Sequence, residues 1–136
     1  MRRRVEAYLT RTGPDGGPEL LVFDCPVGCG LECPGGGIDD GEDPAVAVLR
    51  EIHEETGLTD VRVIRELGAM AGDFGGEAPE PTVWFHVELT GEAPDAWEHV
   101  VHGGGGDDGF VHPLRWEPLP LRVTLAAGHD ALLRLL

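Results

Sequence analysis

From Asp43 to Gly57 the sequence dictates its own conformation. Asp43 is a side-chain cap, Pro44 suits a first helical position and Gly57 is a stop. Between them Val46, Leu49, Ile52 and His53 recur at helical spacing, which predicts one face turned toward a core. The sequence around this helix reads mostly as short strands cut by turn residues. Residues 5–12 and 19–24 flank the cluster Thr12-Gly13-Pro14-Asp15-Gly16-Gly17-Pro18 and read as a hairpin. Residues 25–31 form a loop, and Pro34-Gly35-Gly36-Gly37 opens a glycine-rich turn before the helix. Residues 61–71, 82–90, 97–102 and 110–116 read as further strands, with 72–81 and 103–109 as loops. The end, 124–136, reads as a closing helix with Leu125, Leu132, Leu133 and Leu136 facing inward and Gly128 weakening it. This order implies an α+β fold, a mixed sheet with helices packed on its faces.

At 136 residues and 41% hydrophobic content, the chain can bury one core, so 1–136 reads as a single domain. No apolar run approaches the ~18 residues that span a bilayer. The basic start, Met1-Arg2-Arg3-Arg4, has no apolar stretch behind it, so a cytoplasmic location is expected. The net charge is −15, and all ten basic residues are Arg. That balance argues against long nucleic acids and anionic membranes as partners. It also removes Lys as a base or phosphate clamp.

Cys25, Cys29 and Cys33 crowd one short stretch. An odd count argues against a disulfide framework, and a zinc reading of C-x3-C-x3-C finds no further ligands at a recognisable spacing. The thiols read as incidental, with Cys25 and Cys29 the candidates for redox-active neighbours. His99 and His102 read as surface histidines. Trp84, Phe85, Trp97, Phe110 and Trp116 read as core.

Chemistry concentrates on the helix. Glu51, Glu54 and Glu55 stand at i, i+3 and i+4, so their carboxylates share one face. Like charges at that spacing destabilise a helix by about 0.2–0.5 kcal/mol per pair. Carboxylates at the negative end of the macrodipole cost about 0.3–1 kcal/mol more. A hard divalent cation with oxygen ligands relieves both penalties. Glu42 can fold back toward the same face, and Arg50 can brace Glu54. The glycines upstream let backbone approach a metal or phosphate.

The segment Gly36 to Leu58 resembles the Nudix box, G-x5-E-x7-R-E-U-x-E-E-x-G-U with U a bulky aliphatic. Gly36, Glu42, Arg50, Glu51, Ile52, Glu54, Glu55, Gly57 and Leu58 fill every defined position. The resemblance implies an α/β/α sandwich and a Mg2+- or Mn2+-dependent hydrolase of nucleoside diphosphates linked to another moiety. It implies Glu54 and Glu55 as principal metal ligands, with Glu51 a further ligand or the general base. The carbonyl of Gly35 or Gly36 would be an additional ligand, Arg50 would orient the glutamates, and Glu42 would support them. Homodimerisation is a further expectation from the resemblance.

Glu98, Asp107, Asp108 and Glu117 are candidates for an acid recruited from outside the box, and Phe74 for substrate stacking. The family's ADP-sugar members carry a proline about 16 residues past the box, where this chain has Phe74. Its dinucleoside-polyphosphate members carry a tyrosine nearby, and the only tyrosine here is Tyr8. The coenzyme A motif is not visible. By elimination a nucleoside triphosphate or similar small nucleotide is the default substrate. An ADP-sugar or ADP-ribose-type pyrophosphatase and a catalytically silent nucleotide sensor are the alternatives. The acidic surface counts against removal of 5′ pyrophosphate from RNA.

Overall fold

The computed structural model describes residues 3–72, 80–103 and 108–136. Strands β1 (Arg4–Thr12), β2 (Pro18–Asp24), β3 (Leu31–Glu32) and β4 (Gly35–Gly37) precede helix α1 (Pro44–Thr56). Strands β5 (Val61–Gly72), β6 (Glu80–Leu89), β7 (Ala96–Val100) and β8 (Val111–Pro118) follow it. They form one mixed sheet in the order β5-β6-β1-β2-β8-β7, with β4 on β1 and β3 on β2. Among the described strands β1–β6 is the parallel pairing, with an isolated parallel bridge between Leu31 and Leu125.

Alternation along β1 sorts the core into two layers. Val5, Ala7 and Leu9 pack with Phe85, Leu114 and the α1 residue Ile52. Tyr8 faces the other way, with Trp84, Leu20, Cys33, Leu125 and Leu132. Among the described residues, no helix is long and apolar enough to cross a membrane.

The ends of α1 follow the sequence signals. Asp43 accepts the Ala45 N–H at 2.8 Å, and Gly57 closes the helix at φ 80°. Its buried face differs from the expected one. Ala47, Val48, Glu51, Ile52 and Glu55 are buried while Val46 is 57% exposed, so the helix presents two glutamates to the protein.

The expected closing helix does not form. Residues 124–136 make turns and a single 3-10 turn, Leu133–Leu135, with Gly128 at φ 84°. Long-range bonds hold this segment instead. Ala126 N–H donates to Leu31 O, Tyr8 Oη–H to His129 O, and Leu132 N–H to Tyr8 Oη. Leu125 and Leu132 are buried as expected, but Leu136 is exposed. Phe110, expected in the core, is also exposed. Cys25 and Cys29 are joined as a disulfide, which overturns the incidental reading but fits the redox-active neighbours the sequence also offered, and Cys33 is free and buried.

Candidate active site

Strand β4 pairs with the start of β1, Val5 opposite Gly36 and Glu6 opposite Gly35, which lays the glycines along the last turns of α1. A Cβ at Gly36 would fall on the Glu51 carboxylate. Only a residue without a side chain leaves that space open. Gly35 N–H donates to Glu55 Oε1 at 3.0 Å.

Arg50 is the hub of the acidic cluster. Its Nη1 donates to Glu51 Oε1 at 3.0 Å and to the Glu54 oxygens at 3.2 and 3.3 Å. Its Nη2 donates to Gly37 O at 2.9 Å, and Nε and Nη2 clasp the Glu42 carboxylate at 2.9 and 2.8 Å. Glu42 also accepts the Asp39 N–H, and the guanidinium holds its carboxyl well down, at about 2. The same pairing with Glu42 keeps Arg50 charged at any accessible pH.

The C-terminal carbonyls of α1 are met by donors from the edge hairpin. His99 Nε2 and the His102 N–H reach Glu54 O at 3.0 and 3.3 Å. His112 Nδ1 reaches Glu55 O at 3.3 Å and lies 3.8 Å from Glu55 Oε2. Trp97 Nε1 donates to Thr56 O at 2.9 Å. His112 is buried and stacks on Phe23 with ring centres 3.9 Å apart. The alternation His112, Leu114, Trp116 marks its inward face in the sequence. His99, expected at the surface, instead faces the helix end; His102 is exposed.

Other candidates fall elsewhere. Glu98 is exposed on β7, between Trp97 and His99 that face the helix. Glu117 pairs with Arg115 at 2.8 Å. Asp108 is exposed, while Phe74 and Asp107 lie outside the described residues. Beside Glu42 an open cleft of about 870 Å³ is lined by Arg3, Ile38, Asp39, Asp40 and Asp43.

The donor set of Glu51, Glu54, Glu55 and glycine carbonyls is all oxygen, which suits a hard divalent cation. The missing Cβ at Gly36 lets the Glu51 carboxylate lie against the β4 backbone. The NUDIX domain family model matches residues 2–134 of this sequence. The chain belongs to the Nudix family.

Among relatives, it is 32% identical over 102 residues to an RNA pyrophosphohydrolase of Rhodopseudomonas palustris, covering 65% of this chain and 58% of that one. It is 60% identical over 102 residues to an RNA pyrophosphohydrolase of Brucella ovis, covering 65% of this chain and 54% of that protein. The Nudix match thus spans somewhat over half the length of these curated relatives. Solved structures share the fold. The NUDIX domain of Shewanella oneidensis NrtR, complexed with ADP ribose, matches at TM-score 0.71 and 22% identity, over 96% of this chain and 82% of that one. A C. elegans Ap4A hydrolase matches at TM-score 0.62 and 18% identity, over 88% and 81%.

Proposed function

We propose that this Nudix protein hydrolyses a phosphoanhydride bond in a nucleoside diphosphate linked to another moiety, using water and a divalent cation. The observation that carries the reading is the meeting of Glu51, Glu54, Glu55, Arg50 and the Gly35–Gly36 backbone at one helix end. Nudix proteins generally use divalent metals, and Mg2+ or Mn2+ suits these oxygens. Glu54, Glu55 and Glu51 would hold the ion, with a Gly35 or Gly36 carbonyl. When bound, the ion polarises phosphoryl oxygens and offsets the charge developing on the leaving phosphate.

Arg50 then has two tasks. It spaces the glutamates, and it neutralises them until a cation takes over. A carboxylate of Glu51 or Glu54 left partly free accepts the proton of the attacking water. Glu42 fixes Arg50 from behind. Small nucleotides suit the net charge of −15 better than a long polyanion does. Removal of pyrophosphate from RNA 5′ ends is the second reading, favoured by the names of the curated relatives.

Phosphate or pyrophosphate release from nucleoside triphosphates, ADP-sugars, dinucleoside polyphosphates, coenzyme A and a 5′-triphosphorylated RNA tests both. Turnover is expected with Mg2+ or Mn2+, falling about 10²–10⁴-fold in Glu54→Gln and Glu55→Gln. Turnover of the RNA alone would select the second reading. Metal binding without any turnover would point to a nucleotide sensor.

A further inference from the structure

The loop after β2 carries Cys25 and Cys29, and β3 ends on Glu32. The two sulfurs and a Glu32 carboxylate oxygen all lie within 4.8 Å of one another, the one such set of His, Cys, Asp or Glu ligand atoms among the described residues. Glu32 is held in place from behind. His129 Nδ1 accepts the Cys33 N–H at 3.1 Å, which leaves the ring proton on Nε2, 3.3 Å from Glu32 Oε2. The other oxygen, Oε1, is thereby turned toward Cys29, 3.7 Å from its sulfur. A ligand carboxylate anchored by a buried group is how metal sites orient their donors. Cys29 is exposed, so a cation can reach the loop from solvent.

We propose that the reduced Cys25–Cys29 pair and Glu32 form a second metal site, for one zinc-class divalent cation, with His129 as positioning residue. Two thiolates and a carboxylate are a borderline-soft donor set, unlike the all-oxygen set on α1. Water from the exposed side completes four-coordination. Metal and disulfide compete for the same sulfurs. A dithiol reductant breaks the Cys25–Cys29 bond, giving two electrons and two protons and becoming a disulfide itself. The cation then displaces the two thiol protons to solvent. The third ligand is Glu32 and its support comes from the far end of the chain, so a cysteine spacing alone does not mark the site.

The test is titration of the full chain with Co2+ alone after reduction by a phosphine, which opens the disulfide with water supplying the oxygen and protons. A thiolate-to-cobalt charge-transfer band is expected to saturate at one equivalent and to be displaced by Zn2+. The oxidised protein is expected to lack it. Cys25→Ser and Cys29→Ser abolish the band, whereas Cys33→Ala and Glu54→Gln retain it, which separates this site from the box. Glu32→Gln and His129→Gln weaken Co2+ affinity about 10–100-fold. Glu32, only half-buried, carries this arm if the His129 variant does not fold. No band in the reduced protein, or a band that survives Cys25→Ser, overturns the proposal.

Discussion

Gly35 and Gly36 are neighbours in β4, and each lies against a glutamate carboxylate, but on opposite faces of the sheet. Gly36 meets Glu51 beneath α1, and Gly35 meets Glu6 under the C-terminal segment. Glu51 sits beside a guanidinium that bonds it at 3.0 Å and that a cation could replace. Glu6 is 1% exposed. Arg4 bonds its Oε1 at 2.9 Å, and its Oε2, 4.0 Å from His129 Nδ1, has no hydrogen bond. Burial pushes the Glu6 carboxyl up to about 7, with the Arg4 guanidinium pulling the other way. The pair separates two uses of one side chain. Glu6, enclosed in packing, is driven toward its neutral form despite its own guanidinium partner.

The largest expected difference is in turnover. Glu51→Gln should lower metal-dependent hydrolysis about 10²–10⁴-fold while the thermal midpoint hardly moves. A variant that kept full activity would remove Glu51 from the chemistry.

The next effect is on stability and carries a sign. The fold favours protonated Glu6, so its contribution is complete at low pH. It is lost as pH rises from about 4.5, the unfolded value, through about 7. Arg4, His129 and Glu32 also face this carboxyl, and Glu32 adds to the upward push. Urea unfolding of Glu6→Gln and wild type should therefore diverge by about 2 kcal/mol between pH 5 and pH 8, the variant gaining at high pH. Parallel curves would mean that Glu6 is charged throughout.

The smallest effect tests the frame around the glutamates. Asp43→Ala should cost about 1 kcal/mol in denaturant unfolding through loss of the Ala45 N–H bond.

The helix and its acids were legible because their signals are local: a cap, a proline, a stop, and glutamates three and four residues apart. The strands were legible for the same reason, through alternation and turn residues. The C-terminal segment was not. Its leucines satisfy a helical pattern, yet Tyr8, Leu31 and Cys33, roughly a hundred residues upstream, claim its backbone and His129. Local propensity carries no information about such partners. Val46 misled in another way. The apolar period does not mark the core face here, because Glu51 and Glu55 take inward positions that the period leaves to polar residues.

The bonds at the two ends of α1 make it resemble a beam supported at both ends. Asp43 fixes one end, and His99, His112 and Trp97 fix the other through three successive carbonyls. A beam so held resists bending most where both supports act, and the glutamates occupy its last two turns. Their spacing is thus set by a span of backbone rather than by mutual attraction, which like charges lack. Slackening the edge hairpin would disturb that spacing before it cost the fold.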